Sequence, residues 1–384
     1  MKKPVFASAA ALLCVLLLPT GAVAQIRIGL SLSTTGPAAS IGLPSKNVAL
    51  MWPKEIAGQK IETFILDDAS TSTGAVLNAR KLVSEDNVDV IVGPNTTPNA
   101  LAMSDVAFES KTPMIALAAS GSIVLPMDEK KRWIFKMPQN DALMATLVTQ
   151  HMADHGIKTL AFIGFSDGYG DSWYNEVTRL LDLRGIKLAA SERYNRADTS
   201  VTGQVLRIMA AHPDAVLVAG SATPAATPEI ALVQQGYKGV IYQTHGIATF
   251  DFLKVGGKDV EGTYFPTGPA VVWEQLPEDH PSKKLDVAFA KKYNAMYAPD
   301  AVTQFSADAW DAWLVLADAI PKALKVAKPG TAEFRSALRD AIEATRDLVV
   351  LQGVVNMSSQ DHVGLDQRSR VMARIEHGKW VYTP

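Results

Sequence analysis

Cysteine is almost absent from this sequence. Cys14 is the only one among 384 residues, and it lies in an apolar run near the N-terminus. Beyond that run a disulfide framework, a cysteine metal site and a thiol nucleophile are all excluded. A surplus of one charge sign is missing as well, since 37 Lys and Arg meet 39 Asp and Glu for a formal charge of −2. Nucleic-acid binding calls for a basic surface that this balance does not supply. No segment after the N-terminal run is apolar over the ~20 residues that a bilayer span requires.

What is present is apolar mass, with 48% hydrophobic and 20% charged residues. The length predicts two to three domains stabilised by burial alone. The N-terminus stands apart from this. Lys2 and Lys3 precede an apolar run from Val5 to Leu18, and Ala22, Val23 and Ala24 follow. Basic residues, a short apolar stretch and a small-residue cleavage site describe a secretory leader over residues 1–24. Leu13 before Cys14 stands where a lipoprotein site wants a small residue, so no lipid attachment is expected.

After Gln25 short apolar runs alternate with amphipathic stretches. Strands are predicted over 26–32, 60–67, 88–93 and 113–118, with helices over 37–55, 73–86 and 98–110 between them. Such alternation implies a parallel sheet with right-handed crossovers. A second series follows, with helices at 141–156, 171–185, 201–212 and 228–237 and strands at 159–165, 187–194, 214–220 and 239–244. The fold class is therefore α/β, with two doubly wound parallel-sheet lobes. Two long helices, about 282–298 and 304–327, precede a further helix and a β-rich tail. Within that tail, VVLQGVVNMSS and RVMARIEHGKWVY are expected to pair as one hairpin.

Machinery for a reaction is missing. The sequence has no GxGxxG fingerprint, no GxxxxGK[ST] phosphate loop and no GxSxG elbow. His151 and His155 stand at i and i+4 on a predicted helix, but the residues between them, Met-Ala-Asp, lack a metalloprotease glutamate. Favourable placement in the last helical turn accounts for both. Asp67 and Asp68 are adjacent on a strand, so their side chains point to opposite faces. No catalytic residue, metal or cofactor is expected.

Open parallel sheets bind ligands beyond the carboxyl ends of their strands. Those ends read SLSTTGPAASIG (31–42), GPNTT (93–97), AASGS (118–122), FSDGYGDS (165–172), GSATPAA (220–226) and QTHGIAT (243–249). Hydroxyls and small residues dominate, and none of the six holds Lys or Arg. Backbone N–H groups at helix N-termini suit a small carboxylate without a cation. Any one loop is equally an ordinary helix cap. Six of them on two lobes point to a ligand in a cleft.

These segments carry a resemblance. LSTTGPAASIG, DDAS at 67–70, VGPNTT, PMIALAAS, FSDGYGDS and the WDAWLVLADAI helix (310–320) together resemble the branched-chain amino acid family of periplasmic binding proteins, substrate-binding subunits of ABC importers. The resemblance covers essentially all of the chain after residue 24. It implies three crossings, near Pro138, Gly262 to Pro269 and Leu351. One lobe would hold 25–138 and 269–350, and the other 139–268 and 351–384. It also implies a hinge that closes on a ligand, a periplasmic monomer, and a permease and ATPase as partners.

Position by position, the resemblance gives Thr97 the ligand carboxylate, with Asn95 and Thr96 beside it. Ala118 becomes a backbone partner and Ser120 a second hydroxyl. Tyr169 is the aromatic from the far lobe, Ser221 adds contacts there, and Ile41 packs on the ligand's tail. The departure is His245, which replaces the glutamate that pairs with the ammonium in amino-acid binders. Either another acid compensates, such as Asp167 or Asp251, or the ligand is an aromatic or other organic acid without an ammonium.

Overall fold

The computed structural model describes residues 25–298 and 301–384. The leader expected over 1–24, with Cys14, lies outside the described residues. The first lobe is built on β1 (Ile26–Leu32), β2 (Glu55–Ile56), β3 (Gln59–Asp67), β4 (Val90–Val92), β5 (Met114–Ala116) and β6 (Ile134–Lys136). Its helices are α1 (Ala39–Met51), α2 (Ser72–Ser84) and α3 (Thr97–Glu109). The sheet order is β2-β3-β1-β4-β5-β6, parallel except for the short β2–β3 pair. Ile26, Ile28, Leu30 and Leu32 on one face of β1 are fully buried, and Gly29 and Ser31 on the other face are buried as well, as a central strand covered on both faces requires.

The second lobe follows with α4 (Asp141–Asp154), β7 (Thr159–Phe165), α5 (Gly168–Leu181), β8 (Lys187–Tyr194), α6 (Thr202–Ala210), β9 (Ala215–Ala219), α7 (Ala226–Gln234), β10 (Val240–Gln243), α8 (Phe250–Gly256) and β11 (Tyr264–Thr267). The chain then adds α9 (Lys283–Met296), α10 (Gln304–Ala323) and α11 (Ala332–Glu343) to the core of the first lobe. The tail forms β12 (Leu348–Val350), β13 (Gly353–Val355), β14 (Val371–Glu376) and β15 (Lys379–Thr383). The second sheet runs β15-β14-β11-β10-β9-β7-β8. The α/β class and the two doubly wound lobes agree with the sequence.

Three details differ. β6 and β11 do not stand out in the sequence because each is short and leads straight into a crossing. The tail is two hairpins, one per lobe, since β12 pairs only with β13 and β14 with β15 and β11. Leu351, Val355 and Met357 sit in the core of the first lobe, and Val363 packs in that lobe's other core. The chain therefore passes between lobes for the third time at 366–370, after the place expected near Leu351.

Asp311 explains the retention of the first hairpin. Its carboxylate, buried on α10, accepts hydrogen bonds from Leu351 N (2.7 Å) and Gln352 N (2.9 Å) at the tip between β12 and β13. The three crossings meet at another α10 residue. Gln304 accepts from Gly268 N (2.9 Å) and Thr267 Oγ1 (3.3 Å) on the second crossing. Its amide donates to Gln139 Oε1 (3.0 Å) on the first. Gln139 in turn donates to Ser369 O (2.6 Å) on the third.

The two histidines of α4 are part of the packing. His151 and His155 stack with ring centroids 3.8 Å apart, and His151 Nδ1 meets Tyr242 Oη at 3.0 Å. No group of three or more His, Cys, Asp or Glu is placed to hold a metal among the described residues. No helix among them is long and apolar enough to cross a membrane.

Asp286 on α9 is a buried acid with neither oxygen paired. Burial first, and then the nearby Asp311, push its carboxyl up to about 9, with Lys283 opposing. A raised folded-state pKa stabilises below the unfolded value, and that contribution is lost as pH climbs from about 4 to about 9. Asp286→Asn stays neutral throughout. It should raise the Tm at pH 8 by roughly 2–4 °C per kcal/mol relieved, with the gain shrinking toward pH 4. Calorimetry across that range checks it, and a pH-independent difference would contradict it.

Candidate functional site

The lobes meet along their strand ends. Ile41, Ala38 and Phe305 of the first lobe form one apolar cluster with Ala222 of the second. A Cβ on Gly168 at the start of α5 would lie 3.3 Å from Leu101 and 3.4 Å from the Thr97 methyl on α3. The two helix N-termini thus face each other in contact, and the cleft is closed over a small cavity of about 20 Å³.

Ile41, Asn95, Thr96, Thr97, Tyr169, Ser221 and His245 all line that cavity. Ala118 and Ser120 do not, although Ala119 between them does. Ala118 faces the core of the first lobe. Ser120 caps the turn at 121–123, accepting from Ser122 N at 3.2 Å. Leu117, Pro138, Arg196, Gly246, Phe305 and Asp308 complete the wall.

The turn that presents Thr97 depends on Gly93. Its φ is +101°, and a Cβ there would meet Ser31 O at 2.1 Å. Asn95 is committed to the scaffold, accepting from Ser33 N (3.1 Å) and donating to Ser45 Oγ (2.9 Å). Thr97 opens α3, and its buried Oγ1 has no partner among the described residues. On the far side the Tyr169 hydroxyl donates to Thr244 Oγ1 at 2.8 Å. Tyr169 therefore presents its ring rather than a free hydroxyl.

Arg196 changes the electrostatics. The six strand-end loops are free of cations, but the loop after β8 brings this guanidinium to the cavity. Its Nε donates to Asp167 Oδ2 at 2.6 Å, its Nη1 to Ser221 Oγ at 2.9 Å, and its plane lies 4.1 Å over Phe165. Asp167 is thereby spent: its other oxygen caps α5 through Tyr169 N (2.9 Å) and Gly170 N (3.3 Å). Asp251 is exposed on α8. Neither acid lines the cavity.

The acid that does is Asp308, fully buried on α10. Its Oδ1 accepts from Gln304 Nε2 and Gln352 Nε2, both at 3.1 Å, and its Oδ2 has no partner among the described residues. Burial raises its carboxyl to about 7, against the two amides and the charge of Lys136. His245 is buried with both ring nitrogens unpartnered, near Trp173 (5.8 Å between ring centroids). Burial, then the positive charge of Lys136, push it down to about 3, so at neutral pH it is an uncharged donor and acceptor.

Arg196 was legible in principle as the residue two places beyond the end of KLAASERY, a seventh strand end. Asp308 carried a different signal, an acid inside an otherwise apolar helix.

The profile of the Periplasmic binding protein family matches residues 25–378, and the chain belongs to that family. An extracellular ligand-binding receptor from Rhodopseudomonas palustris HaA2 is 44% identical, with a TM-score of 0.91 over 94% of this chain and 100% of that one. The leucine-, isoleucine-, valine-, threonine- and alanine-binding protein of Pseudomonas aeruginosa is 25% identical, across 78% of each chain. A solute binding protein from Rhodopseudomonas palustris BisB5, solved with 3,4-dihydroxybenzoic acid, shares the fold at 19% identity, with a TM-score of 0.78 over 94% of this chain and 96% of that one.

The neutrality of His245 is measurable. Its depressed pKa means that the folded state gives up stability as pH falls from about 6.5 toward about 3. Imidazole NMR shifts of His245 should stay flat from pH 8 to pH 5, and a midpoint near 6.5 would contradict the burial argument.

Proposed function

We propose that this chain is the periplasmic substrate-binding protein of an ABC importer and clamps a small organic acid, of aromatic or similar character, for delivery to a permease and its ATPase. The observation that carries this reading is the pairing of Arg196 with an uncharged His245 in one closed cavity. Arg196, Thr97 and Ser221 offer donors to a carboxylate, and helix N-termini add partial positive charge. Where an amino-acid binder needs an anion for the ammonium, this cavity has a neutral imidazole. A buried ammonium without a paired anion costs several kcal/mol.

A second reading rests on Asp308. Its free Oδ2 could take an ammonium, which would make the ligand a branched-chain or other hydrophobic amino acid. Its raised pKa weighs against that, because the anion is only partly formed at neutral pH.

Thermal-shift screening separates the two. Benzoate-type acids should raise the Tm by mass action, with leucine and valine inert at the same micromolar concentrations. Stabilisation by the amino acids alone would overturn the organic-acid reading. Thr97→Val keeps the side-chain shape and should cost ~1–3 kcal/mol of ligand affinity. Calorimetry showing no change would place the carboxylate away from Thr97.

A further inference from the structure

We propose that Asp308 selects ligands bearing a hydroxyl remote from the carboxylate, with His245 as its second partner, so that the preferred substrates are hydroxylated, phenol-type acids. The proposal rests on the organic-acid reading of the cavity. It begins from two buried polar groups lining the cavity that the other described residues leave unpaired: Asp308 Oδ2 on the first lobe and the ring nitrogens of His245 on the second.

Their position separates them from the carboxylate donors. Asp308 is tied by Gln304 and Gln352 to the residues where the lobes are joined, so it marks the hinge wall. Arg196 belongs to the outer wall, with its side chain 16% exposed and bonded to Asp167 and Ser221. A ligand held at Arg196 by its carboxylate presents its other end to the hinge wall.

The chemistry of that wall favours a neutral group. Lys136 is fully buried, with Nζ donating to Pro138 O at 2.5 Å. Its charge acts on both Asp308 and His245. A ligand ammonium would add a second buried cation beside it, whereas a hydroxyl adds none. A hydroxyl also donates and accepts at once. It can give its proton to one of Asp308 Oδ2 and an imidazole nitrogen and accept from the other. A ligand without it leaves both unpaired, and sites built to bond a hydroxyl discriminate strongly against its absence.

The test is calorimetry on matched pairs, benzoate with 4-hydroxybenzoate and cinnamate with 4-hydroxycinnamate. In the wild-type protein the hydroxylated member of at least one pair should bind roughly 10- to 100-fold tighter. Asp308→Ala should collapse that ratio to near one. Arg196→Met should weaken both members and preserve the ratio. Asp308→Asn keeps an acceptor for Gln304 and Gln352, so a lost ratio there isolates the ligand contact from the hinge bonds. Equal wild-type affinities within both pairs would overturn the proposal while leaving the organic-acid reading intact. Leucine binding that Asp308→Ala abolishes, with no acid bound, would overturn both. The wild-type ratios decide the matter even if a variant fails to fold.

Discussion

The structure turns on the buried amide of Gln304. Two lobes joined by three chain segments need those segments held in register, or closure would have no defined axis. Gln304 supplies this by bonding Gly268 and Thr267 on one crossing and Gln139 on another, while Gln139 reaches Ser369 on the third. Its place at the start of α10 is fixed by the capping box of Thr303 and Ser306. Buried polar networks of this kind are valuable only when fully satisfied. Here one member, Asp308, keeps an oxygen turned to the cavity, so the hinge and the binding site share a residue.

The same region carries a concentrated charge problem. Lys136 is buried with no carboxylate of the described residues within ion-pair distance, and Asp141 and Asp308 are buried in its field. Burial drives the lysine down and both acids up, while the lysine opposes each acid's shift and each acid opposes the lysine's. His245 lies within reach of the same cation, which adds to the burial that keeps its ring neutral. A residue of the first lobe at the first crossing thus reinforces what burial does to the imidazole of the far wall.

Much of the fold was legible because strand and helix periods are local. The alternation that predicts two parallel lobes is written in runs such as IRIGLSL and TLAFIGF, whose burial on both faces leaves few polar positions. What was not legible depended on distant contacts. VVLQGVV and RVMARIE look like one hairpin until Asp311, some forty residues upstream, holds the first of them on the other lobe. Arg196 sits in a turn that reads as surface, since nothing local reveals that Asp167 and Ser221 draw it inward. Asp308 is on a helix rather than at a strand end, so a search restricted to strand ends passes over it. The motifs around Thr97, Tyr169 and His245 mark where a cleft lies, but its charge is decided by residues outside those motifs.

Closure itself follows from these orphaned atoms. Thr97 Oγ1, both nitrogens of His245 and Asp308 Oδ2 are buried without partners in the closed lobes. With the lobes apart, water satisfies each of them. Closing strips that water, at a cost of ~1–3 kcal/mol for each group left unpaired. The apolar contact of Ile41 and Phe305 with Ala222 works in the other direction, since it forms only on closing. A ligand that pairs those polar atoms removes the cost of closing and leaves the apolar gain, which is the differential affinity that a population shift requires.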